Sequence, residues 1–166
     1  DNPYYANVLW GDVSEKSIGV DVQQEIKTAD NNKLVAGISW RESDVLNVAD
    51  RIDYSGQVLQ RRGDVYDESI TNTSIYLNDT WEISPTWILN TGIRYDDNSK
   101  SGNETTFSAG LNKKFSENSH AYVNWGEVFK APTTGDLFAV GMGNPNLKAE
   151  KGDSWTIGYE IGRAHV

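Results

Sequence analysis

The stretch IGVDVQQEIKTADNNKLVAGISW, residues 18–40, sets the fold class. Ile18, Val20, Val22 and Ile26 alternate with Gly19, Asp21, Gln23, Glu25 and Lys27, which is the period of a strand with one apolar and one wet face. Asp30-Asn31-Asn32 supplies residues that tolerate left-handed turn conformations. The alternation then resumes with Leu34, Ala36, Ile38 and Trp40 against Lys33, Gly37, Ser39 and Arg41. The segment reads as an antiparallel hairpin with a short turn.

Working outward, the pattern recurs twice. Thr73, Ile75, Leu77 and Trp81 share a face, the chain turns at Ser84-Pro85, and Trp87, Leu89, Thr91, Ile93 and Tyr95 follow. Phe107, Ala109, Leu111 and Phe115 lead through Ser116-Glu117-Asn118 into Ala121, Val123 and Trp125. A seventh strand carries Trp155, Ile157 and Tyr159, and Tyr4 to Trp10 reads as the tail of an eighth. Three connections are tight, and those between them, Ser43–Ser69, Asp96–Glu104 and Phe129–Gly152, are expected to be longer. Short turns at one end and long loops at the other suit an up-and-down transmembrane barrel, with Trp81, Trp87 and Phe115 at the interfacial girdle. A soluble carbohydrate-binding β-sandwich, whose Trp and Tyr would stack on sugars, is the alternative.

Composition narrows the function. The 166 residues hold 15 Lys+Arg against 24 Asp+Glu, for a formal charge of −9, so no basic face is available to neutralise nucleic-acid phosphates. The absence of cysteine excludes disulfide scaffolds, thiol catalysis and Cys-ligated zinc. With 6 Trp, 8 Tyr and 4 Phe the chain is not a disordered polar tract. The longest apolar stretch, Leu137–Met142, is far too short for a spanning helix, which leaves strands as the means of crossing a membrane. No phosphate loop or Ser-His constellation is present, and Asp-Asp pairs are too common in an acidic chain to suggest a hydrolase, so no enzyme activity and no cofactor are expected.

The last third contains Phe129-Lys130-Ala131-Pro132 and, after eleven residues, Asn144-Pro145-Asn146-Leu147-Lys148-Ala149-Glu150. Pro132 and Pro145 lack the amide donor of a central ladder position, so both boxes are read first as loop architecture and second as ligand contacts. With the preceding AYVNWGEV (121–128), the boxes strongly resemble the FRAP and NPNLKPE segments of TonB-dependent outer-membrane receptors, with Lys130 for the usual Arg and Ala149 for the usual Pro. SIYLNDTW (74–81) and LNTGIRYD (89–96) resemble that family's SLYAQDEW and LTPGLRYD strands, so the likeness runs in order from about Lys33 to Tyr159.

The resemblance implies a bacterial outer-membrane receptor, a barrel of about 22 strands around a plug. It further implies outer loops that bind a scarce nutrient, TonB engaging the plug side, and no chemical conversion. Divided among about 22 strands, 166 residues leave too few for each to span the ~9–11 that a crossing needs. The chain is therefore expected to hold seven or eight consecutive strands of the barrel, its outer face against membrane lipid, in residues 1–160. The closing Ile161-Gly162-Arg163-Ala164-His165-Val166 is what ATCGGAAGAGCACACGTC, from a widely used sequencing adapter, encodes, and it reads as a translated adapter tail.

For the cargo, the resemblance offers a ferric siderophore, haem or cobalamin. Haem receptors of the family use a histidine between the two boxes, and Thr133 to Gly143 contains none, which puts the siderophore first. His120, beside a tight turn, is read as a lumen or interface residue. In the segment 43–69, Arg51, Arg61 and Arg62 are candidates to grip an anionic chelate, and Asp44, Asp50, Asp53, Asp64, Asp67 and Glu68 to hold calcium; the alternative is a solvated outer loop. Met142 is a candidate soft ligand, with packing as its alternative. No metal-ligand set is assigned.

Overall fold

The computed structural model describes residues 11–52, 58–139 and 143–162, the side chains of 11, 49–52 and 58–65 excepted. Seven strands, β1 (Gly11–Ala29), β2 (Asn32–Ile52), β3 (Val58–Ser84), β4 (Trp87–Asn98), β5 (Gly102–Ser116), β6 (Ser119–Lys130) and β7 (Glu150–Ile161), form one antiparallel sheet in sequence order. A five-residue helix, α1 (Thr134–Phe138), lies between β6 and β7. The expected eighth strand at Tyr4–Trp10 falls outside the described residues.

Register carries each alternation across the sheet. Val22 faces Ile38, Ile38 faces Ile75, Ile75 faces Tyr95, and further along Ile93 faces Phe107 and Val123 faces Ile157. These side chains form a continuous apolar outer band that solvent reaches freely, with Ile157 80% and Ile75 57% exposed. Aromatic residues bound it. Trp81, Trp87, Phe115 and Tyr159 lie toward the tight turns, with Phe115 and Tyr159 rings 6.0 Å apart; Trp40, Tyr95, Trp125 and Trp155 lie toward the other end, with Trp125 and Trp155 rings 6.3 Å apart. Lys113 sits at the lower ring with Nζ 4.5 Å from the centre of Trp87 and donating to Thr86 Oγ1 at 3.2 Å, a cation held at an interface by an aromatic and a hydroxyl. Asp79 occupies an outer position opposite Leu34, and Asn32 Nδ2 donates to its carboxylate at 2.7 Å.

A globular chain of 18.5 kDa would expose about 8,200 Å², whereas this sheet exposes 11876 Å². Among the described apolar residues only Val45 and Leu137 are buried. A single layer with so little core gives the two-layer sandwich no support.

Two of the three expected long connections are different in the structure. The described residues of the segment Ser43–Ser69 are not a loop: β2 and β3 stay paired from Asn32 opposite Trp81 to Ile52 opposite Val58. The hairpin continues twelve residues past Trp40, about 40 Å at the usual strand rise. Beyond the aromatic ring pairing persists through the backbone ladder while strict alternation lapses: Val45 and Leu46 are adjacent apolar residues, and Val45 is buried. Asp96–Glu104 closes in a tight turn, where Asn98 Oδ1 accepts from the amides of Lys100 and Ser101, both at 2.9 Å, and Gly102 takes φ +89. Only Phe129–Gly152 is a long connection. Ile161 extends β7 opposite Ser119, and the Gly162 amide donates to Asn118 O; residues 163–166 fall outside the described residues.

Candidate functional site

The inner face carries the complementary phase of the alternation: Asp21 and Gln23 on β1, Arg41 on β2, Ser74 and Tyr76 on β3, Arg94 and Asp96 on β4. On it lies a concave recess of about 710 Å³, lined in part by Ser17, Asp21, Arg41, Ser74, Arg94 and Asp96. Arg94 Nε donates to both oxygens of Asp96, at 2.8 and 3.0 Å, and its Nη2 donates to Ser74 Oγ at 2.7 Å. Ser74, 4% exposed, donates in turn to Asp96 Oδ1 at 2.6 Å. The guanidinium also lies 5.6 Å from the centre of the Tyr76 ring. The group is a fixed, internally compensated set of donors and acceptors, suited to hydrogen-bonding a polar surface presented to the wall.

Sequence reading passed over Ser74, Tyr76 and Arg94 as candidates. The signal was available, since all three occupy the wet phase of strands whose apolar phase was recognised.

At the end of the wall toward which Tyr95 and Asp96 lie, the two proline boxes bracket α1. Lys130 ends β6 opposite Glu150, and Ala131-Pro132 lead into Thr133, the helix N-cap. Thr133 and Asp136 form a capping box: the Asp136 amide donates to Thr133 Oγ1 at 3.2 Å, and Asp136 Oδ2 accepts from the Thr133 amide at 2.9 Å and its hydroxyl at 2.7 Å. The Thr133 hydroxyl and amide, aided by the charge of Lys130, hold the Asp136 carboxyl below its ordinary range. Asn144 of the second box donates its amide to Asp136 O at 2.8 Å, and its Oδ1 accepts from the Asn146 amide at 3.0 Å. The helix thus follows the first box directly and holds the second through the Asp136 carbonyl. Phe129 of β6 lies opposite Lys151 of β7, while Pro145 and Leu147, with the Leu147 amide donating to Asn144 O, shape the exit turn.

Gly143 explains the tightness of this loop. A Cβ there would lie 2.6 Å from the Ala139 amide nitrogen and 2.8 Å from Leu137 O, backbone atoms that cannot yield. Glycine in the interval therefore serves close approach. Gly135 is the second residue of α1. Leu137 is buried, and Phe138 packs on the β2–β3 hairpin, its ring 6.2 Å from that of Tyr66 and 5.3 Å from Lys100 Nζ, which pairs with Glu68 at 2.7 Å.

Of the other candidates, Arg51 lies opposite Gln60 near the hairpin tip, and Arg61 and Arg62 follow on β3; their side chains, and the whole of Met142, fall outside the described residues. His120 faces the inner wall beside the tight turns, its Nε2 3.6 Å from Glu160. Among the described residues no group of three or more His, Asp or Glu is placed to hold a metal ion.

An up-and-down sheet with an apolar outer band, two aromatic rings, a polar inner wall and elongated structure at one end is a section of a transmembrane β-barrel. Residues 2–164 match the family model described as TonB dependent receptor-like, beta-barrel. The chain belongs to this family. It is 30% identical over 135 residues to the vitamin B12 transporter BtuB of Photobacterium profundum, covering 81% of this chain and 20% of that protein. It is 27% identical over 124 residues to BtuB of Vibrio cholerae, covering 74% and 18%. The chain thus spans about a fifth of the length of these curated relatives. Among solved structures, the siderophore receptor PirA of Pseudomonas aeruginosa superposes with TM-score 0.70 at 19% identity, covering 93% of this chain and 29% of that one. The copper transporter OprC superposes with TM-score 0.73 at 14% identity, with the same coverage. At these identities the structures share the fold.

Proposed function

We propose that the chain is part of the wall of an outer-membrane receptor that imports a metal chelate. The observation that carries this reading is the pairing of an outer apolar band with a polar inner wall in one continuous register, within a chain of the TonB-dependent receptor family. In such a receptor the recess around Arg94, Asp96 and Ser74 faces the lumen, the β2–β3 hairpin and the α1 loop project toward the outside, and TonB supplies energy through a plug. The relatives are transporters, which agrees with a role that makes and breaks no covalent bond.

For the cargo we place a corrinoid first, because the sequence relatives named above are vitamin B12 transporters. A ferric siderophore is the second reading, favoured by the arginines of the β2–β3 hairpin and by the absence of histidine from Thr133–Gly143. The test is uptake by cells whose only corrinoid and siderophore receptor is the intact protein containing this chain. Growth dependent on micromolar cyanocobalamin supports the first reading. Rescue by a ferric catecholate or hydroxamate instead supports the second, and rescue by neither removes both.

A further inference from the structure

Tyrosines on the inner wall lie across glycines of the neighbouring strand, an arrangement that occurs twice among the described residues. Tyr76, Gly37 and Gln23 form one row across β3, β2 and β1, each directly opposite the next. The Tyr76 ring covers Gly37 so closely that a Cβ there would overlap it. Its hydroxyl passes beyond β2 and donates to Gln23 Oε1 at 3.2 Å, with Asp21 Oδ1 3.4 Å away. The tyrosine is a strut spanning three strands, and the glycine is what lets it lie flat.

Tyr122 of β6 repeats the first two members of this row. It stands opposite Gly158 of β7, and a Cβ at Gly158 would overlap the same ring atoms, Cζ, Oη and Cε1, that a Cβ at Gly37 would meet on Tyr76. The third member is missing: β7 pairs only with β6 among the described residues, so the row ends at an open strand edge. Among these residues the Tyr122 hydroxyl has no hydrogen-bond partner, although a tyrosine laid across a wall gains its polar end's stabilisation from one.

We infer that the free edge of β7 is covered by a further antiparallel strand of the same receptor, whose residue opposite Gly158 is an Asp, Glu, Asn or Gln accepting a hydrogen bond from the Tyr122 hydroxyl. The inference rests on the receptor reading above and goes beyond it, because a barrel wall requires a neighbouring strand but not an acceptor at this position. The curated relatives are about five times longer than the matched segment, which leaves ample chain to supply the strand.

The experiment uses the intact receptor in detergent. The residue opposite Gly158 is identified from its structure, and Tyr122→Phe, the alanine variant of that residue, and the two combined are compared for unfolding rate by heat-modifiable gel migration. Tyr76→Phe serves as the internal standard. Each single change is expected to raise the unfolding rate about 5-fold, the worth of one hydrogen bond, and the double variant no further. A residue without an acceptor, or additive effects of the two changes, overturns the inference. A concentration-dependent effect of Tyr122→Phe points to an acceptor on a second copy and also overturns it. Failure of the wild-type protein to migrate as a compact, heat-modifiable barrel instead defeats the receptor reading beneath it.

Discussion

Thr133 and Asp136 show how two side chains shape a loop of more than a dozen residues. Their reciprocal hydrogen bonds start α1, and the helix then supplies the carbonyl of Asp136 to the Asn144 amide and the back of Ala139 to Gly143. Thr133→Ala removes the cap, at a cost of about 1 kcal/mol. The expected result is faster hydrogen exchange at the Leu137 and Asn144 amides, about 5-fold, with exchange in β4 unchanged. Acid acts on the same device. The Asp136 carboxyl is held below 3.8 mainly by the Thr133 hydroxyl and amide, so its contribution is fully present above the ordinary carboxylate range and is lost as pH falls through the lowered value. Exchange at the Asn144 amide should therefore show no pH-dependent loosening between pH 7 and 5, once intrinsic rates are divided out, and loosen only below the ordinary carboxylate value. Loosening already near pH 6 would point to a different group. Gly143→Ala should displace the loop at every pH, because the obstacle is backbone.

At the scale of the element, the two faces of β3 set opposite rules for neighbouring residues. Leu77 points outward between Ala36 and Ile93, whereas Asn78 points inward between Val35 and Gly92. Leu77→Arg is expected to destabilise the barrel by about 2–4 kcal/mol. Asn78→Arg, in the polar lumen, should cost far less, a contrast readable as the urea midpoint of each variant refolded into lipid. Equal effects would mean that Leu77 does not face the bilayer. Much of this was legible in sequence, because burial of one face in lipid imposes period two over Ile18–Trp40, Thr73–Tyr95 and Phe107–Trp125. Legibility stopped where lipid stops. Above Trp40 the strict alternation ends, with Val45 and Leu46 adjacent, so the paired residues 43–52 and 58–69 read as a loop. The turn at Asn98–Gly102 was masked because its carbonyl and glycine chemistry is local and resembles that of any longer loop. Of the two proline boxes, the second is tied to α1 by the Asn144 amide on Asp136 O, while the first leads into the helix through Thr133, a link that only the fold reveals. The Tyr76 strut was hidden because its three members are 39 and 14 residues apart in sequence and adjacent only through register.

At the scale of the whole molecule, the chain is a sheet with two free edges among its described residues and an exposed apolar band on one face. Its exposed area exceeds that of a globular protein of its mass, about 8,200 Å², by more than 3,000 Å², measured against 11876 Å². An apolar patch beyond a few hundred Å² and unpaired strand edges are each enough to drive association, and here they coincide. The formal charge of −9 opposes this only weakly at physiological salt, where the screening length is about 8 Å and the outer band itself carries few charges. Expressed alone, residues 1–166 should therefore elute from size exclusion as aggregate in aqueous buffer. Detergent should reduce the particle size by covering the band, yet it cannot satisfy the backbone groups of β1 and β7, so some strand-edge association should persist even in micelles. Joining the same residues to the strands that flank them in the intact receptor should abolish that residual association, since the edges are then paired. A monodisperse, detergent-free monomer with strand-rich circular dichroism would contradict the lipid-facing assignment of the band from Ile18 to Ile157 and would return the chain to the class of soluble β proteins.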